Sequence, residues 1–300
     1  MPASTDRAAG IDPWTGARHA ADNVVVPAIA LPEARKALSR AAGRLADLLC
    51  SLPDTRAPIP GSNWMVGDAV AHVVMDLRTQ ALVADAQVVS WAEGATSLPG
   101  TPRGVAELNA RAITVETERR PRELASMLIA AVSDFLAASA ELPADNPMPS
   151  QYFQGGMALD LAGITSIELG EVLVHGYDIA KATGRSWPIA ADDARLVLGG
   201  ALRLAPGYVN PESARGHTGS YDVRIRGALR IIVRFADGRA WLEEPGGAPV
   251  DCHIAAAPVA LLLVLYGRIP EWGPIAKAQL LTWGRRPWRA LGFKRLFFNP

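Results

Sequence analysis

A change of hydrophobic period divides this 300-residue chain. Up to about residue 205, apolar residues recur three and four apart. Beyond Pro206, short stretches alternate instead. A period near 3.6 buries one stripe of a helix, and a period of two buries one face of a strand. The chain is therefore constrained to a helical part followed by a part that contains a sheet. Ala34, Leu38, Ala41, Leu45, Leu48 and Leu52 fall at helical spacing, with Pro32 suited to the first turn. A second helix is expected over 66–90. A long helical region follows to about residue 142, bent near Pro121, and another helix spans 157–183, where Gly184 stops it. Four long amphipathic helices joined by loops suggest a bundle, and a shorter helix at 191–204 bridges to the remainder. There, 221–226 and 229–235 alternate, and the turn Ala236-Asp237-Gly238 leads into a third run. These read as strands and a hairpin. Residues 250–254 suggest one more strand, 257–266 a buried helix and 288–298 a terminal helix. The expected domains are a flexible tail at 1–30, a helical bundle at 31–205 and an α+β domain at 206–300.

Composition narrows the function classes. Hydrophobic residues make up 49%, enough for a sizeable core and too many for general disorder. Thirty basic residues balance thirty acidic ones. A net charge of zero argues against a protein that works mainly by sitting on nucleic acid or an anionic membrane. The two cysteines, Cys50 and Cys252, exclude a disulfide scaffold and read as reduced, buried thiols. No apolar core marks the first residues as a signal peptide, and no apolar run is long enough to span a bilayer. A cytoplasmic protein is expected.

Histidine is scarce. His19, His72, His175, His217 and His253 are the only five, so imidazole chemistry must draw on them. The 157–183 helix holds the most informative of these. Met157, Leu161, Ile164, Glu168, Glu171, His175 and Ile179 share one face, which begins and ends apolar yet carries two carboxylates and an imidazole between. Charged groups facing a core are costly unless paired or bound to a metal. Glu171 and His175, four apart, can reach one point, and carboxylate with imidazole suits a divalent ion such as zinc. An ordinary surface Glu–His pair is the plain alternative. A catalytic zinc usually takes three protein ligands. His72, bordering the apolar face of the second helix, is the best third, unless Asp68 or Asp76 merely caps it. Glu168 could replace Glu171 as ligand or act as a base. His19 in the tail, His217 in a Gly-rich loop and His253 beside Cys252 carry weaker signals.

The stretch Trp64-x-Val66-x-Asp68-x-x-x-His72, with Glu171-x-x-x-His175-Gly-Tyr-Asp178 a hundred residues later, resembles the mycothiol-dependent maleylpyruvate isomerase family of actinobacteria. The following Ile179-Ala-Lys-Ala-Thr-Gly-Arg-Ser-Trp-Pro-Ile189 is also typical of it. The resemblance covers about residues 35 to 300. It implies a DinB-like four-helix bundle followed by an α+β domain similar to sterol carrier protein type 2. It also implies His72, Glu171 and His175 as zinc ligands with water as the fourth, and Arg268, in Leu261-Leu-Leu-Val-Leu-Tyr-Gly-Arg268, as the catalytic residue that serves the substrate. Asp68 and Asp178, each one turn from a proposed ligand, would orient those ligands from behind, although Asp68 could equally cap its helix. Two departures, Met65 where the family has Thr or Ser and Gly67 where it has a helix former, leave the substrate open.

The implied chemistry is activation of a low-molecular-weight thiol, mycothiol, for attack on a small electrophile, as an isomerase or a thiol transferase. Coordination to a metal stabilises a thiolate. Arg226, Arg234 and Arg268 are candidates for holding an acidic substrate, since arginine binds carboxylates bidentately. The competing expectation is a non-catalytic carrier that holds an apolar ligand in its C-terminal half. Arg289, Lys294 and Arg295 lie among aromatics in the last stretch, which could touch a membrane or partner.

Overall fold

The structure, a computed structural model, describes residues 26–94, 101–148 and 159–298. Residues 1–25 of the expected tail, His19 among them, and Met157 lie outside the described residues.

Six helices come first: α1 (Leu31–Cys50), α2 (Val66–Ala84), α3 (Pro102–Val115), α4 (Pro121–Ala138), α5 (Leu161–Ala182) and α6 (Ala191–Leu204). Between α4 and α5 the two-residue strands β1 (Pro147–Met148) and β2 (Leu159–Asp160) pair antiparallel. Helices α1, α2, α4 and α5 form the bundle, each packing on two others, and α3 lies against α2. Of the expected stripe, Ala34, Leu38, Ala41, Leu45 and Leu52 are buried, while Leu48 is only partly so and Leu49 takes the fully buried position beside it. The expected third helix is in fact two. Residues 116–120 are not helical, and Arg120 is extended because a residue preceding proline is pushed out of the α region. The second helix ends at Ala84, short of the expected Ser90. Cys50 is exposed, which corrects the expectation of two buried thiols; Leu49 beside it takes the core-facing position.

Helix α5 is not amphipathic. It is buried almost all round, because the bundle covers one side and α6 covers another. Two glycines allow that closeness. A Cβ at Gly176 would stand 2.3 Å from the Trp187 ring, and one at Gly170 would stand 2.8 Å from Val197. The polar groups of α5 therefore face protein on every side, and each needs a partner.

The second half is built on a five-stranded sheet: β3 (Gly219–Ile225), β4 (Arg230–Ala236), β5 (Arg239–Glu243), β6 (Cys252–Ala256) and β7 (Leu280–Trp283), in the order β5-β4-β3-β6-β7. Only β3 and β6 run parallel. Alternation places Tyr221, Val223, Ile231, Val233 and Ile254 in the core. Helix α7 (Pro258–Leu265) packs on α6 and so joins the two halves. The short α8 (Trp272–Ala276) precedes β7. The expected terminal helix is broken into short turns around α9 (Ala290–Phe293). Phe293 and Phe297 there pack against Tyr221 and Phe235, while Trp288 remains exposed. Strand β7 was not expected from the sequence. Among the described residues no helix is long and apolar enough to cross a membrane.

Candidate metal centre

Helices α2 and α5 pack side by side and bring three side chains together. His72 Nε2 and His175 Nε2 each lie 3.3 Å from Glu171 Oε2. One atom from each of the three residues falls within 4.8 Å of the other two. Both histidines are buried and Glu171 is nearly so. Trp64, just before α2, stacks on the His175 ring at 5.8 Å between centroids and tilts against His72 at 5.1 Å.

Do these residues fit a divalent ion? Two imidazoles, which ligate in their neutral form, and one carboxylate form a three-ligand set of the catalytic zinc kind. Ligands about 2.0–2.1 Å from one tetrahedral ion stand about 3.3 Å apart, which is the spacing of both contacts to Glu171. The far side of each ring carries a second signal. Among the described residues His72 Nδ1 and His175 Nδ1 are buried without hydrogen-bond partners, and Asp178 Oδ2 waits 3.6 Å from the latter. The residues fit the group.

Electrostatics agree with a site built around Glu171. Burial works to raise its pKa, but hydrogen bonds from His175 and His72 win and hold the carboxyl well below its usual range. Burial would push His175 down, yet Asp178 and Glu171 raise it to about 9. Asp76, one turn beyond His72 and 3.3 Å from its Nε2, is pushed up to about 6 by burial, against the pull of His72. Glu168 is buried at 2% exposure with Oε2 unpartnered; burial, Asp76 and Glu171 all raise its pKa. No hydrogen bond or ion pair joins Glu168 to either histidine among the described residues, so Glu171 takes the contacts that the sequence left open between the two.

Asp178 and Arg268 meet across the two halves of the molecule. Arg268 Nε and Nη2 donate to Asp178, at 3.0 and 2.7 Å to Oδ2, and Nη1 donates to the Tyr266 carbonyl. Burial raises the pKa of Asp178, but His175 and Arg268 bring it below the ordinary value. Asp68 sits differently from the expectation that it orients His72. Its Oδ2 accepts from the Met65 N–H at the start of α2, and Oδ1 accepts from Arg119. It caps the helix, and Arg119 packs where a side chain at position 67 would stand, which is why Gly67 occurs there.

The centre opens into a cavity of about 520 Å³. The bundle lines one side and β3, β4, α7 and the C-terminal turns line the other. Arg268 lies in its wall. Arg226 and Arg234 do not; they donate to the Ala278 carbonyl and to Glu243. His217 bonds the Tyr221 hydroxyl and His253 bonds Asp222, both away from the centre. Sequence reasoning missed Tyr208 and Tyr266 as wall residues. Burial and Glu171 push the Tyr208 phenol up to about 12. No periodic signal marks them, because they come from turns that the fold alone brings in.

The sequence model of the family described as mycothiol maleylpyruvate isomerase N-terminal domain matches residues 37–180. That stretch contains His72, Glu171 and His175. Among solved structures the chain is similar to the crystal structure of the mycothiol-dependent maleylpyruvate isomerase, at 15% identity, with 84% of this chain and 93% of that chain covered and a TM-score of 0.45. A mutant of mycothiol-dependent maleylpyruvate isomerase gives 14% identity, 89% and 95% coverage and a TM-score of 0.46. No curated protein matches the chain in sequence.

Proposed function

We propose, from the premise that residues 37–180 belong to the mycothiol maleylpyruvate isomerase N-terminal domain family, that the chain is a metal-dependent enzyme. It activates a low-molecular-weight thiol, mycothiol, for attack on a small electrophile. The observation that carries this reading is the convergence of His72, Glu171 and His175 at a cavity lined by both halves of the molecule.

His72, Glu171 and His175 hold the divalent ion, for which zinc suits the donor set. When bound, that ion supplies the positive charge that keeps a thiol ionised at neutral pH. Asp178 sets the His175 ring, and Arg268 holds Asp178 in place. Arg268 is thus a positioning residue as well as part of the cavity wall. Trp64 covers the histidines and keeps water from the rings. In an isomerisation the sulfur adds to a conjugated double bond, and the electron pair moves toward the conjugated carbonyl. The resulting single bond rotates; the pair then returns and expels the sulfur, with no net change in protons. In a transferase the carbon–sulfur bond persists and the anion takes up a proton.

A carrier function is the second reading, and the apolar wall contributed by β3, β4 and α7 favours it. The two separate in one assay. Metal-loaded protein, mycothiol and either maleylpyruvate or a generic conjugated electrophile are mixed, and product is followed. Turnover that a chelator abolishes is expected. A metal-loaded protein that turns over neither class of electrophile would leave the carrier reading standing.

A further inference from the structure

The cavity wall says what kind of electrophile fits, given the thiol-activating reading above. Away from the centre it is apolar: Val223 and Val233 from the sheet, Leu261 and Leu265 from α7, and Phe293 and Phe297 from the C-terminal turns. Ligand sites use a few polar groups for orientation and an apolar wall for affinity. A dicarboxylate would need cations to replace its lost water, since burying an uncompensated charge is costly. Among the described residues two basic side chains other than the histidines line the cavity, Arg268 and Lys294. Arg268 is already charge-matched: two of its nitrogens serve both oxygens of Asp178, and the third serves a backbone carbonyl. Lys294 is held down to about 8 by burial, and the nearby Glu271 is its main counter-charge. On the acidic side, Asp76, Glu168, Glu171 and Asp178 all face the same space. A divalent ion with the Glu171 carboxylate and one thiolate carries no surplus positive charge either.

We infer that the site takes an uncharged or singly charged conjugated carbonyl compound with an apolar, ring-sized body, and discriminates against dicarboxylates. The reacting double bond would sit at the histidine end and the ring against Val233, Leu265 and Phe297.

Unreactive saturated probes test this by calorimetric titration of the full, metal-loaded chain: 4-phenylbutan-2-one for the neutral aryl class and succinate for the dicarboxylate class. The ketone should bind at least about ten-fold more tightly. Leu265→Ser should weaken the ketone several-fold and leave succinate unchanged. Phe297→Ala, on the C-terminal turns, should do the same if Leu265→Ser does not fold. Succinate binding as tight as the ketone, or no ketone binding at its solubility limit, overturns the inference. Failure of the enzyme reading looks different: the ketone binds, but no conjugated electrophile, aryl or dicarboxylic, is isomerised or joined to mycothiol by the metal-loaded protein. Mycothiol-dependent turnover with a dicarboxylate preferred to an aryl enone would leave the enzyme reading intact and overturn the substrate class.

Discussion

Asp178→Asn isolates the link between the two halves of the molecule. The wild-type carboxylate accepts from Arg268 at 3.0 and 2.7 Å and lies 3.6 Å from His175 Nδ1, at 6% exposure. The amide keeps the shape and one acceptor oxygen but loses the charge. Hydrogen bonds to charged groups contribute roughly 1.5–3 kcal/mol each, and breaking a fully buried pair costs about 3–5 kcal/mol. Arg268 retains some water, with 24% of its side chain exposed, so a loss of about 1–3 kcal/mol is expected. At about 2–4 °C per kcal/mol for a chain of this size class, the melting temperature should fall by several degrees. The second effect is the diagnostic one. A carboxylate behind a metal-ligating histidine is worth about 10–100-fold in metal affinity. Competition against a chromophoric chelator at neutral pH measures it, and circular dichroism gives the melting temperature on the same sample. A lowered melting temperature with metal affinity unchanged would refute the argument, because Asp178 would then be an inter-domain strut with no bearing on His175.

Other outcomes follow from residues away from the centre. Asp222 is fully buried, and although burial raises its pKa, Arg230, Arg224 and His253 bring it well below the usual carboxylate range. Its folded pKa lies below the unfolded one, so its stabilisation is fully present above about pH 4 and is lost as pH falls further. Denaturant titrations across that acid range should show a shallower slope for Asp222→Asn, and an unchanged slope would contradict the assignment. Gly176→Ala should destabilise by about 1–3 kcal/mol in calorimetry, since its Cβ would overlap the Trp187 ring at 2.3 Å. That outcome runs against the gain in helix propensity of about 1 kcal/mol, so a stabilised variant would mean the ring moves freely. Of the two thiols, Cys50 is exposed and should react with a disulfide reagent in the native state. Burial raises the Cys252 pKa and should keep it unreactive until the protein unfolds; two equally fast thiols would show that the sheet opens readily.

Much of this molecule was legible in the chain. The change of period near Pro206 separates α6 from the sheet, and the spacing of Ala34 to Leu45 names the buried face of α1, although the last turn buries Leu49 where Leu48 was expected. Glu171 and His175 were found because two carboxylates and an imidazole interrupt a face that begins and ends apolar, and four residues of separation put Glu171 and His175 within reach of one point. His72 needed the fold as well as the pattern, since a residue bordering an apolar face meets a neighbour only if the helices pack in the right register. Between Glu168 and Glu171, which share the face, the family spacing pointed to Glu171, and it is Glu171 that meets both histidines. Asp68 was ambiguous because capping and support of His72 call for the same residue one turn away. Arg119, distant in sequence, turns it toward the cap. The breaks at 116–120 and at α9 came from local preferences overriding a helical pattern, and β7 was hidden because four residues at a sheet edge leave too short an alternation to see.

The central claim is that His72, Glu171 and His175 act together on one divalent ion. Elemental analysis of untagged protein, wild type beside His175→Ala, tests it most directly. The account predicts close to one bound divalent ion per wild-type chain and a large loss in the variant, with both proteins folded. A wild-type chain that binds no metal when supplied with it, or a His175→Ala chain that retains a full equivalent, would contradict it.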